Sequence, residues 1–313
     1  MLKAVPLAAL WDIPWNTPID CGEFCLSEDD IVAFGQRYDP QPIHTDPQAA
    51  RKSFFGGLIA SGAHTTSRMM GQVQRSAAGQ HLEGGCLSVP ELQLPRPVFA
   101  GTPLRVVHTF LAPASEGLEC RTEAFDREGT LIAHVHSVHA PAGAGPEGTW
   151  PRSASAVRAG PRLQRAASAS TAGLWLEDCV PGAHFGSGPF RIAPGEADDY
   201  SAKFGGDTGV GRNAWFGFAL ATKLFIEAMW THGHAIAGAS VTNLEFFGCP
   251  RTGDECLGDV EVRASRILRS KPSLGLVDLA VSSWTSDGAL SCSYNISIFA
   301  KRKAPQLRTF PNA

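Results

Sequence analysis

DIVAFGQRYDPQPIHTDPQAARKSFFGGLIASGAHTTSRMM, residues Asp30 to Met70, opens as one helix and closes as the lead-in to another. Ile31, Phe34 and Tyr38 fall at helical spacing, and Ser27 precedes them as an N-cap with Asp30 as its capping-box acid. The pattern then recurs. DDYSAKFGGD, Asp198 to Asp207, aligns with DIVAFGQRYD without a gap, and WFGFALATKLFIEAM from Trp215 pairs with FFGGLIASGAHTTSRMM from Phe54. Self-similarity of this kind predicts an internal duplication. The second helix of each pair, mostly apolar on all sides, is expected in the middle of its unit.

Downstream of each pair the residues turn to strand signals. LSVPELQLPRPVFAGTPLRVVHTFL, LECRTEAF and TLIAHVHSVHA follow in the first half; SVTNLEFFGCPRTGDE, DVEVRASRI, GLVDLAVSSW and ALSCSYNISIF follow in the second. Each set reads as an antiparallel meander, with turn residues Asp126 to Gly129 and Ser286 to Gly288 before its last strand. The predicted order is one long central helix, then strands, twice. A buried helix across a curved antiparallel sheet covers that sheet's apolar face, so the fold class is α+β and the arrangement a double hotdog, a pseudo-dimer within one chain. Residues 1–140 make the first unit and 173–302 the second. Residues 141–172, rich in Ala, Gly, Pro, Ser and Arg without apolar periodicity, read as a linker, and 303–313 as a tail.

Composition narrows the function classes. The 313 residues are 43% apolar, enough for two cores, and 27 Lys plus Arg nearly balance 30 Asp plus Glu. That balance argues against a nucleic-acid partner and against an acidic solvating tail. Asp12, Pro6 and Pro14 break the N-terminal apolar patch short of a signal core or a membrane span, so a soluble, cytoplasmic protein without a membrane partner is expected. Eight cysteines without a CxxC pair suit reduced thiols better than disulfides or a metal site.

The segment from Tyr38, YDPQPIHTDPQAARKSFFGGLIASG, places Asp39, four residues, His44, then Asp46, an Ala-rich stretch, and a Gly-rich approach to Gly62. It resembles the hydratase signature of MaoC-like dehydratases and (R)-specific enoyl-CoA hydratases, closely here and only through architecture elsewhere. The resemblance implies a hydro-lyase that adds or removes water at the 2,3 double bond of an enoyl thioester. Its substrate would be carried on coenzyme A or a carrier protein, with (R) stereochemistry and no further cofactor.

The chemistry accounts for the spacing. Syn hydration needs one group to take a proton from water and one to deliver a proton to the alpha carbon, both on one face. Asp39 ends the capped helix, and Pro40 and Pro42 stiffen the turn that returns His44 toward it, so the two can grip one water; which of them is the base stays open. The Gly62 N–H, at the start of the central helix, can hydrogen-bond the thioester oxygen. Arg51, Lys52, Arg68 and Arg96 are candidates for the coenzyme A phosphates. His64 joins them as a candidate substrate contact, although a core histidine is the preferred reading, and Asp46 reads as a turn or capping group.

Other signals point away from chemistry. Strand alternation puts His134 and His136 on one face and His139 on the other, which disfavours a metal site. His232 and His234 flank Gly233 as a turn. GGDTGVG from Gly205 follows a helix and lacks the Lys-Ser/Thr ending of a phosphate loop, and no GxSxG elbow occurs. Between Asp207 and Trp215 the second repeat is seven residues shorter than the first is between Asp39 and Phe54, and no histidine takes the place of His44. One active site per chain is therefore expected, with the second unit completing the sheet and walling the acyl chain or the coenzyme A arm. A hotdog thioesterase and a non-catalytic acyl-thioester binding module are the alternatives. Assembly beyond the pseudo-dimer, into a homodimer or higher oligomer, is left open.

Overall fold

A computed structural model describes residue 10 and residues 12–82, 85–115, 117–140, 175–205, 213–229 and 235–303. The first unit runs β1 (Ile19–Phe24), α1 (Glu28–Tyr38), α2 (Pro42–Thr45), α3 (Pro47–Arg51), α4 (Gly62–Arg75), β2 (Cys86–Gln93), β3 (Leu104–Ala114), β4 (Gly117–Phe125) and β5 (Leu131–His139). The second runs β6 (His184–Arg191), α5 (Glu196–Phe204), α6 (Ala214–Met229), β7 (Ala235–Phe246), β8 (Glu255–Ile267), β9 (Leu274–Thr285) and β10 (Leu290–Lys301). All ten strands form one antiparallel sheet ordered β1-β3-β4-β5-β2-β7-β10-β9-β8-β6. The order mirrors itself about the β2–β7 seam, where Val89 faces Leu244 and Leu92 faces Val241. This is a double hotdog, each half wrapped round its own helix.

Two departures from the sequence reading have physical causes. Each unit begins with a strand, not a helix, and both of these strands lie at the outer edges of the sheet. In β1 only Cys21 and Phe24 are buried, and β6 carries Gly186, Gly188 and Pro189, which an edge tolerates and a central strand does not. The second departure concerns α4. It is buried as expected but polar in composition, and Thr65, Thr66 and Ser67 satisfy their hydroxyls on the carbonyls of Ser61, Gly62 and Ala63 at 3.1, 2.9 and 2.6 Å. Only α6 is apolar nearly all round.

The helix cap and the hairpin turns read from the sequence reappear in the structure. Ser27 and Asp30 form the capping box of α1, and Gly129 and Gly288 take the positive φ, +79° and +85°, that the final hairpins need. Cys21, Cys25, Cys120, Cys179, Cys256 and Cys292 are free thiols. Among the described residues no helix is long and apolar enough to cross a membrane, and no three His, Cys, Asp or Glu side chains converge as metal ligands. The 141–172 segment, Asp207, His232 and His234 lie outside the described residues.

Candidate active site

Helix α1 stops because Pro40 disfavours helical backbone at the residue before it. Asp39 leaves the helix there as the C-cap, with φ −152° and ψ 70°. Pro42 then starts the single turn α2, which carries His44, and Asp46 caps α3 by accepting from the Gln48 and Ala49 N–H groups. Helix α1 and His44 approach closely because residue 35 is glycine: a Cβ there would lie 2.7 Å from the His44 carbonyl oxygen. Asp39 and His44 are thus fixed by backbone, each only 4% exposed.

Their side chains face each other. His44 Nε2 lies 3.5 Å from Asp39 Oδ2. His44 Nδ1 sits 2.7 Å from the Ile59 carbonyl oxygen, an acceptor only, so Nδ1 carries a proton and, whenever the ring is neutral, Nε2 is left with its lone pair. Ile59 is itself pinned, its N–H bonded to the Ile43 carbonyl and its backbone bridged to Phe99. On the carboxylate, Oδ1 accepts from Gln41 Nε2 at 2.8 Å and Oδ2 from Ser61 Oγ at 2.6 Å. Ser61 is followed by Gly62, the first residue of α4, whose N–H has no intrahelical acceptor.

Asp39, His44, Ser61 and Gly62 open onto one cavity of about 490 Å³. The first unit supplies Phe54, Phe55, Leu92 and Val98 to its walls; the second supplies Phe218, Phe225, Ile226 and Ile296, with Thr222 and Tyr294. The cavity therefore crosses the unit boundary.

The candidates for substrate contact separate. Arg96 lines the cavity and is exposed at its mouth. Arg51 and Lys52 are exposed at the end of α3 and do not line it. Arg68 turns to the other unit, donating to the Lys203 carbonyl at 3.1 Å. His64 is fully buried away from the cavity, stacked on Phe34 with ring centroids 4.4 Å apart. Neither of its ring nitrogens has a hydrogen-bond partner among the described residues, and burial pushes its pKa down to about 3. As substrate contacts, His64 and Arg68 are thus displaced by packing: both side chains leave α4 on the face opposite the cleft. Ser61, Gln41 and the Ile59 carbonyl were missed by the sequence reading. A serine just before a glycine-led helix looks like an ordinary N-cap, yet Ser61 makes no side-chain cap bond and spends its proton on Asp39.

Residues 15–112 match the family model of the MaoC-like domain. A 40-residue stretch is 48% identical to YdeM of Bacillus subtilis, and the match spans 28% of that protein's length and 13% of this chain. A MaoC-like dehydratase from Rhodospirillum rubrum is 30% identical over 42% of this chain and 96% of its own, with a TM-score of 0.38. Over the full length, a MaoC domain dehydratase from Chloroflexus aurantiacus superposes with a TM-score of 0.73 at 11% identity, covering 94% of this chain and 97% of its own. A Mycobacterium tuberculosis protein described as a double hotdog gives 0.65 at 14% identity, covering 92% and 96%. These two show the shared fold.

Proposed function

Because the chain belongs to the MaoC-like dehydratase family, we propose that it reversibly hydrates the 2,3 double bond of an enoyl thioester. One observation carries the reading: Asp39 Oδ2 and His44 Nε2 stand 3.5 Å apart, each tied at its far side, and both open onto the cavity beside the Gly62 N–H. Two acceptors so held can grip a water from two directions. The water oxygen bonds C3 of the substrate, one water proton passes to the Asp39/His44 pair, and a proton from the pair goes to C2. The two transfers balance, and the pair ends as it began. Electron density that leaves the double bond collects on the thioester oxygen, where the Gly62 N–H and the positive end of α4 stabilise it. No redox step occurs, so the reaction needs no cofactor beyond the thioester carrier.

The apolar walls suit an acyl group, and Arg96 at the mouth suits a carrier phosphate. Loss of the conjugated-bond absorbance of a crotonyl-type thioester tests the proposal. Asp39→Asn and His44→Gln are each expected to lower kcat by at least about a hundredfold with the fold retained by circular dichroism. Undiminished turnover in both would remove the assignment, and release of free thiol in place of bond hydration would make the protein a thioesterase.

A further inference from the structure

The cavity has two ends. Asp39, His44 and Gly62 stand at one, with Tyr294 of β10, which lies within electrostatic reach of Asp39 and edge-on to Phe218 of α6, ring centroids 5.4 Å apart. At the other end Arg96 and Phe54 meet solvent, and Lys271, in the turn between β8 and β9, sits 6.0 Å from the Phe54 ring. That turn and the Gly238–Ile298 pair of β7 and β10 belong to the same end of the sheet, since Lys301 of β10 pairs with Leu274. Along α6 the lining runs from Phe218 to Ile226, about 12 Å at the helical rise. Along the sheet it runs from Tyr294 to the level of Gly238, about 13 Å at the strand rise.

Behind the pair the interior is filled. Tyr38, next to Asp39, packs edge-on against Tyr200 and Phe216, with centroids 5.6 and 6.2 Å away, and the Tyr200 hydroxyl meets that of Ser67 on α4 at 2.5 Å. All four side chains are buried and none lines the cavity, which α4 borders only through Gly62, Ala63 and Thr65. With the thioester at Gly62, the carrier arm has to occupy the stretch between the pair and the mouth. From phosphate to sulfur a phosphopantetheine arm runs through about twelve bonds, as many as four extended residues, so it spans roughly 14 Å. The arm therefore uses the whole length, and Ser240, which lines that stretch, suits its amides better than a hydrocarbon tail. Building on the hydratase reading, we infer that the protein selects short enoyl groups of the crotonyl class, whose tails end against Thr65, Phe218 and Tyr294. Phe218, supplied by the second unit, is then the residue that sets chain length.

The test is a series of crotonyl-, 2-hexenoyl-, 2-octenoyl- and 2-decenoyl-CoA. For the wild type, kcat/KM is expected to fall at least about tenfold from crotonyl- to octenoyl-CoA, because a longer tail has to push into packed side chains. Phe218→Ala removes the end wall and should raise octenoyl relative to crotonyl turnover by at least about fivefold; Phe218→Leu, which keeps more of the packing, should shift the profile the same way by less. Ile226→Ala, on the stretch assigned to the arm, should lower kcat/KM alike for every length. Octenoyl- or decenoyl-CoA used as well as crotonyl-CoA by the wild type would overturn the inference. So would an unchanged profile in both folded Phe218 variants, or a shift toward long chains in Ile226→Ala, which would put the tail where the arm is placed. Calorimetric binding of butanoyl- and octanoyl-CoA reads the same selectivity without turnover. No hydration of any substrate, with butanoyl-CoA still bound about tenfold tighter, would reject the reaction and keep the short acyl class; hydration without length preference would do the reverse.

Discussion

Ser61 is the residue on which the geometry of the pair turns. Its hydroxyl donates to Asp39 Oδ2 at 2.6 Å, the same oxygen that faces His44 Nε2, so it fixes which lone pair of that oxygen remains for water. A hydrogen bond to a charged group contributes about 1.5–3 kcal/mol. Ser61→Ala is therefore expected to lower kcat roughly ten- to a hundredfold with a smaller change in KM, and stopped-flow hydration of a crotonyl-type thioester checks it; unchanged kcat would make Ser61 a packing residue. Asp39, His44 and Gly62 were legible in the sequence because prolines and glycines frame them locally. Ser61 and Ile59 were not, since their roles exist only across space, 22 residues from Asp39 and 15 from His44 along the chain; Gln41 is only two residues from Asp39, and no pattern tells which way its side chain turns. Arg68 shows the converse, in which nearness along the chain to Gly62 does not decide the direction in which a helical side chain points, while His64 takes the core place preferred for it.

At the scale of elements, the contact of α1 with α2 holds His44 in place. Gly35 permits it, since a methyl group at that position would fall 2.7 Å from the His44 carbonyl oxygen and 3.0 Å from its Cβ. Backbone cannot yield as a flexible side chain would, so Gly35→Ala should push α2 outward. The expected result is a loss of about 1–3 kcal/mol in stability and a fall in kcat larger than that stability loss explains, measured by urea unfolding alongside turnover at a temperature where the variant stays folded. A comparable approach joins the units, where a Cβ at Gly71 would lie 1.8 Å from the Phe204 carbonyl oxygen. The duplicated helix pairs and the four later strands of each unit were readable because their apolar residues keep a period. The edge strands β1 and β6 were not, because an edge buries few side chains, and a stretch such as IDCGEF offers alternation too sparse to count. In α4 the burial was readable and the polarity was not: its hydroxyls bond inside the helix itself, which a reading of apolar pattern does not reveal.

At the scale of the whole molecule, the units share more than a sheet. Glu196 of the second unit pairs with Arg37 of the first, accepts from Tyr38 Oη at 3.1 Å, and takes the Ala193 N–H at 3.0 Å. Close by, Ser67 and Tyr200 bond across the boundary at 2.5 Å. Glu196→Ala strands several of these partners, and because Arg37 stays partly in water the expected loss is about 2–3 kcal/mol, visible in urea unfolding. The core also carries three histidines held neutral by burial, with pKa values lowered to about 3 for His64 and His108 and about 4 for His139. Each of these lies below the ordinary value of 6.5, so between 6.5 and 4 the unfolded chain binds protons that the folded chain refuses. Stability is then complete above pH 6.5 and falls as the pH drops below it, by about 1.4 kcal/mol per pH unit for each histidine. His64 separates this effect from the titration of carboxylates. Both its ring nitrogens are without partners among the described residues, and it lies flat on Phe34, so His64→Phe keeps the stack and removes a buried polar ring. The variant is expected to melt higher than wild type at pH 7.5 and higher still, by comparison, at pH 5, with about a third of the histidine-linked slope gone. Thermal unfolding at constant ionic strength across that range measures it, and parallel slopes for the two proteins would mean that His64 does not withhold its proton in the fold.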